Sequence, residues 1–136
     1  MVKILVLTHG SLAQSLYDTL GMFFTSRQGV STLSLGEDMS DFKERVKAEL
    51  LQTPAKEILV LTDLFGGTPF NTAAALLPEM ARKGKRMEVL TGVNLPMLME
   101  LMPLLPDSSL PVLKAAAWET GKASIRDLNA ELGRIP

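Results

Sequence analysis

The sequence predicts one α/β domain, a doubly wound three-layer sandwich whose mostly parallel sheet is covered by helices on both faces. Three observations lead there. Short runs rich in Val, Ile and Leu alternate along the chain with stretches of helical period, the signature of parallel strands joined by crossover helices. The clearest runs are apolar at nearly every position instead of every second one, as expected of strands buried on both sides. The 136 residues suit a single domain, and 46% hydrophobic against 21% charged residues is a globular balance, with no repeat, linker or low-complexity segment to divide it.

Each element has its own signal. "VKILVLT" (2–8) reads as the first strand. Leu12, Leu16 and Leu20 then recur every fourth residue beside Ala13 and Tyr17, giving an amphipathic helix. "VSTLSL" (30–35) is a second, weaker strand. Phe42, Val46 and Leu50 mark a helix entered through "GEDMS" and stopped before Pro54. "EILVLT" (57–62) is the third strand. Thr68 is a good N-cap for the next helix, with Pro69 suited to its first turn, Ala73, Leu76, Leu77 and Met80 as its buried stripe, and Gly84 as its stop. "RMEVLT" (86–91) is the fourth strand. Asn94 caps a helix carrying Leu95, Leu98, Met99 and Met102, and a further helix runs from about Ser109 to Gly121. "ASIRDL" (123–128) reads as a short last strand.

Composition narrows the function. A net charge of −1 gives no reason to expect nucleic acid as a partner. The absence of cysteine removes disulfides, thiolate metal sites and cysteine nucleophiles. The opening "MVKILVLTHG" is too short an apolar stretch for a secretory leader or a membrane span of about 20 residues, so a cytoplasmic protein is expected.

Ligands of such sheets bind beyond the C-terminal strand ends, where the strand order reverses. In the flavodoxin-like order 2-1-3-4 that switch point lies between strands one and three. The residues leaving strand one are Thr8, His9, Gly10 and Ser11; those leaving strand three are Thr62, Asp63 and Leu64. The only histidine and Asp63 are therefore expected to be neighbours. A carboxylate holding one imidazole N–H fixes the tautomer and turns the other nitrogen's lone pair outward, which makes a nucleophile or general base. Backbone N–H groups of Gly10, Ser11, Gly66, Gly67 and Thr68 are expected to line an anion pocket in the same crevice. With no metal ligands and no lysine beside it, this combination suits transient phosphorylation of His9, the pocket stabilising the phosphoryl oxygens. Each residue alone has an ordinary reading: a structural histidine, a turn aspartate, a tight glycine turn, a capping threonine. Their convergence on one crevice is what points to chemistry.

At these residues the chain resembles the mannose-type (mannose/fructose/sorbose) IIA component of the bacterial phosphoenolpyruvate-dependent sugar phosphotransferase system (PTS). Three stretches carry the resemblance: "LTHGSLAQSL" at 7–16, "LVLTDLFGGTPFN" at 59–71 and "TGVNLPMLMEL" at 91–101. The resemblance implies that His9 takes a phosphoryl group from the phosphocarrier HPr and passes it to a IIB component for sugar uptake. It implies that Asp63 orients His9, and that Thr68 matches a hydroxyl residue near the phosphoryl group. It also implies a homodimer exchanging a C-terminal antiparallel strand, here "ASIRDL", and no cofactor or metal. The family often has glycine where this chain has Ser15, a turn away from the site. The end at Pro136, without a IIB domain, leads to the expectation of a separate IIB polypeptide, and through it of a peripheral association with a IIC/IID membrane permease.

Both partners must reach His9, so residues flanking the strand ends, Leu12, Phe65, Asn94 and Met97, are expected to form a docking face, with Phe70 and Leu95 beside them in the core. Three rival readings stand against this one. A receiver domain phosphorylated on Asp63 needs an acidic pair after strand one, where Thr8 and His9 stand, and a lysine after strand five. A flavin- or nucleotide-binding module needs ring-stacking partners, and the one tryptophan and one tyrosine lie elsewhere. The phosphoryl-donor subunit of dihydroxyacetone kinase uses the same kind of histidine, and the "GGTPFN" loop favours the transporter branch over it.

Overall fold

The computed structural model describes residues 1–133. Its elements run β1 (Lys3–His9), α1 (Leu12–Leu20), β2 (Val30–Leu35), α2 (Phe42–Gln52), β3 (Glu57–Thr62), α3 (Thr68–Arg82), β4 (Arg86–Leu90), α4 (Leu95–Leu104), α5 (Leu110–Ala123) and α6 (Leu128–Glu131). The four strands form one all-parallel sheet in the order β2-β1-β3-β4, as expected.

The near-continuous apolar runs are explained by a core on each face of the sheet. Ile4 and Val6 of β1 and Leu59 and Leu61 of β3 point toward α1, α4 and α5, where Leu20, Leu98, Leu101 and Leu113 are buried. The alternate residues, Leu5 and Leu7, Ile58 and Val60, face α2 and α3 and pack on Phe42, Val46, Leu50, Ala73, Leu76 and Met80. Side chains alternate along a strand, so both sets must be apolar when both faces are covered. Leu77, expected in the buried stripe of α3, is exposed: it lies one residue off the line of Ala73, Leu76 and Met80.

Helix starts are set by local chemistry. The Asn94 side chain accepts the Met97 N–H at 3.1 Å at the head of α4, and Ser109 accepts that of Val112 at 3.4 Å at the head of α5. At α3 the cap is Gly67, in extended conformation, so Thr68 is the first helical residue and its side chain does no capping.

The expected strand at 123–128 is not formed within the chain. Ala123 closes α5, the Ser124 N–H donates to the Thr120 carbonyl at 3.0 Å, and the Ile125 N–H to that of Lys122 at 3.4 Å. Asp127 caps α6, which begins at Leu128. A strand needs a sheet edge to pair with, and within one chain the helix-end hydrogen bonds take these backbone groups instead. Ile125, Leu128 and Leu132 are left exposed, as is Trp118 on α5.

Candidate active site

The register of the sheet brings the site together. Leu7 of β1 pairs with Thr62 of β3, so the residues just beyond them leave the sheet side by side. Thr8, fully buried, accepts the Ala13 N–H on its hydroxyl at 2.7 Å and ties the first turn of α1 to the strand end. His9 closes β1 opposite Leu35. Asp63 follows β3 directly, and the Val93 N–H donates to the Thr62 carbonyl at 3.0 Å behind it.

Asp63 grips His9 at two points. Its Oδ2 accepts the His9 backbone N–H at 3.0 Å and lies 3.0 Å from the ring Nδ1, with Oδ1 3.2 Å from the same nitrogen. Burial of the carboxyl works against its charge, but the two His9 N–H bonds and the charge of the ring outweigh it, and its pKa is held below the usual 3.8. An ionised carboxylate only accepts, so Nδ1 must carry the proton in the neutral ring. The lone pair is then on Nε2. The His9 side chain is 44% exposed and that of Asp63 15%, so the orienting carboxylate is sheltered while the ring is open to solvent.

The loop after Asp63 backs the ring. Gly66 has φ +80°, a left-handed conformation that other residues adopt only with strain. Gly67 lies so close to the imidazole that a Cβ there would stand 2.7 Å from His9 Cε1 and 3.4 Å from Nε2. The second glycine of "GGTPFN" is thus needed for contact with the histidine. The Gly67 N–H donates to the Leu64 carbonyl at 3.1 Å, and the Asn71 side-chain amide donates to the Gly66 carbonyl at 3.0 Å. The backbone N–H groups of Ser11, Gly66 and Thr68 have no backbone partner among the described residues. With the N-terminus of α3 beside them, they form the kind of surface that binds anions. Thr68 is exposed at the head of α3.

Four expected site residues have other duties. The Gly10 N–H is bound to the Leu35 carbonyl at 2.8 Å, and that of Gly67 closes the Leu64 turn, so neither is a donor for an anion. Met97 is only 3% exposed and packs in the core beside Gly121 of α5, because its place in the first turn of α4 faces inward. Asn94 is half-buried and spends its amide on the α4 cap and, at 3.4 Å, on the Gly121 carbonyl. Leu12 and Phe65 are exposed as expected, at 43% and 75%, and Phe65 leans on the half-buried Phe70 with ring centroids 4.9 Å apart. Leu64, 60% exposed, joins them and had no sequence signal beyond its place beside Phe65. Asn71 and Thr8 were also missed; an amide in the first turn of a helix after a glycine pair is the only hint the former offered. No group of three or more His, Cys, Asp or Glu side chains among the described residues is arranged to hold a metal.

Fold and site define a class: a doubly wound α/β domain with one carboxylate-oriented imidazole at its switch point, beside backbone N–H groups that no carbonyl among the described residues takes. Comparison with known proteins makes it particular. The EIIA-man family model, described as PTS system fructose IIA component, matches residues 3–117. The chain is 34% identical over 134 residues to the mannose-specific EIIAB component of Escherichia coli K12, covering 96% of this chain and 40% of that protein. It is 33% identical over 107 residues to the fructose-specific EIIA component of Bacillus subtilis 168, covering 76% of this chain and 70% of that one. The EIIA crystal structure from Streptococcus agalactiae superposes with a TM-score of 0.83 at 32% identity, covering 96% of this chain and 99% of that one. The chain belongs to the EIIA-man family and is a IIA component of a sugar phosphotransferase system, a family of phosphotransfer proteins. It spans less than half the length of the EIIAB relatives. No helix among the described residues is long and apolar enough to cross a membrane.

Proposed function

We propose that His9 Nε2 is the phosphoryl carrier, charged by phospho-HPr and discharged to a IIB component that serves sugar uptake. The observation that carries this reading is the Asp63 contact with Nδ1, which leaves a lone pair on Nε2 of a partly exposed ring. In the step, that pair forms an N–P bond as the donor's bond to phosphorus breaks and its electrons stay with the donor. The charge spreads over the phosphoryl oxygens, which in this reading the Ser11, Gly66 and Thr68 N–H groups and the Thr68 hydroxyl receive. The reverse sequence hands the group to IIB. The sugar is of the mannose, fructose or sorbose kind named for the relatives, and a IIC/IID permease at the membrane is its carrier.

Incubation with phosphoenolpyruvate, enzyme I and HPr is expected to give an acid-labile, base-stable adduct on wild-type protein and none on His9→Ala. An adduct on the variant would end the proposal. The protein also acts as a homodimer in this reading, the exposed Ile125, Leu128 and Trp118 being covered by a second copy whose 123–128 segment pairs with a sheet edge. Light scattering at micromolar concentration is expected to return twice the mass of one 136-residue chain.

A further inference from the structure

We propose that Asn71 is a positioning residue for the His9 imidazole, acting through the Gly66–Gly67 peptide. It sits in the first turn of α3 and touches neither His9 nor Asp63 by hydrogen bond. Its amide donates to the Gly66 carbonyl at 3.0 Å. A carbonyl only accepts, so the NH₂ end of the side chain must face it.

That bond matters because of what the peptide does next. The Gly66–Gly67 peptide is held at both ends, its carbonyl by Asn71 and its N–H by the Leu64 carbonyl at 3.1 Å. Between two glycines it is the softest link of the loop, and φ +80° at Gly66 is a conformation nothing but its contacts maintains. Gly67 in turn sets the position of the ring's Cε1 edge, with room for no atom between them. Asp63 fixes the Nδ1 edge. Asn71 therefore refers the second edge of the ring to α3, whose Ala73, Leu76 and Met80 are locked in the core. Without it, Gly67 keeps its turn bond to Leu64 and its carbonyl keeps the Asn71 backbone N–H at 2.9 Å, but the Gly66 carbonyl loses its anchor and the peptide under the ring can tilt.

The inference rests on the carrier role of His9, and the test separates the two. His9 is the only histidine, so its ring gives one set of imidazole ¹⁵N and ¹³C NMR signals in the unphosphorylated protein. Ring relaxation is measured in wild type, Asn71→Ala and Asn71→Asp, and transfer from phospho-HPr is followed by rapid quench. Greater ring mobility is expected in both variants with the Nδ1–H tautomer kept. An ordinary hydrogen bond is worth a factor of about 3 to 10, so Asn71→Ala is expected to transfer that much more slowly at unchanged KM for phospho-HPr. Asn71→Asp is expected to be slower still, because its carboxylate cannot donate and faces the carbonyl; being the same shape as asparagine, it also serves where the alanine variant folds poorly. Ring relaxation unchanged in both variants would overturn the positioning role, whatever the rates. Failure of wild type to become phosphorylated would overturn the carrier reading and leave the ring measurement standing.

Discussion

Gly67→Ala isolates the close approach between loop and ring. Its Cβ would lie 2.7 Å from His9 Cε1, while ordinary contact begins at about 3.4 Å, so the ring must retreat by about 0.7 Å or the loop must open by as much. The Leu64 carbonyl, 3.3 Å from the same Cβ, resists movement the other way. Retreat of the ring strains the 3.0 Å contact of Nδ1 with Asp63 and moves Nε2 relative to the N–H groups proposed to receive the phosphoryl oxygens. A misplacement of about 1 Å costs on the order of 10²-fold in rate, and a loss of about 30- to 100-fold is the expectation. Stability is expected to move little or upward. Gly67 has φ −74° and ψ 169°, which alanine adopts without strain, and losing a glycine's freedom in the unfolded chain adds about 0.4–1 kcal/mol. Rapid-quench transfer from phospho-HPr, paired with thermal unfolding, reads both quantities. Wild-type transfer in a stably folded Gly67→Ala protein would refute the claim that this glycine exists for the histidine.

Asp63→Asn is expected to slow transfer by about 10- to 100-fold, less than the roughly 10⁴ of the analogous serine-protease change, because the amide oxygen can take the Oδ2 position that serves both His9 N–H groups and so keep the tautomer; an undiminished rate would reduce Asp63 to a turn residue. The depressed pKa of Asp63 stabilises the wild-type fold above the unfolded value near 3.8, a contribution lost as the pH falls through the lower folded value, so acid unfolding of Asp63→Asn is expected to show a shallower pH dependence below about pH 4. Phe65→Ala, which removes a ring 75% exposed, is expected to weaken transfer both from HPr and to IIB with stability within about 1 kcal/mol of wild type. Stability lost with kinetics unchanged would assign Phe65 to packing on Phe70 instead.

What could be read in the sequence was whatever rests on local pattern or on topology. Strands two and three were placed to the residue, because an apolar run bounded by turn residues leaves little choice of register. The His9–Asp63 pair followed from strand order alone, since the order decides which loops meet. What was misread depends on the direction of single groups. Which N–H of a loop stays free is decided by which carbonyl turns to it, near in sequence as Leu64 is to Gly67 or distant as Leu35 is from Gly10. Met97 and Phe65 are both apolar residues near strand ends, and only packing separates the buried one from the exposed one. The segment 123–128 has strand composition, but a strand is a relation between two segments, and among the described residues no sheet edge pairs with it.

The way the ring is held fits the relay role proposed for it. Contacts that fix His9 reach it at Nδ1 and at Cε1, and the backbone of residue 9 is itself tied to Asp63. None of them occupies Nε2. A carrier must offer the same nitrogen to a donor and later to an acceptor, so the groups that orient the ring have to stay in place through both encounters and belong to the carrier. Orientation from behind meets that demand, and it removes any need for the partners to shape the nucleophile. The partners then have only to dock, and the three exposed apolar residues Leu12, Leu64 and Phe65 are few beside the roughly 20–30 residues a side of a stable interface. Weak docking is what a relay requires, since an acceptor can enter only when the donor has gone. Enlarging the apolar rim should therefore slow turnover while tightening the complexes. Thr68→Leu would confuse the test by removing a hydroxyl of the site, whereas Ser15→Leu, exposed one turn further along α1, adds apolar surface on that helix without touching the nucleophile. Tighter HPr binding by calorimetry with slower multiple-turnover transfer is expected, and faster turnover with tighter binding would refute the argument that release limits the relay.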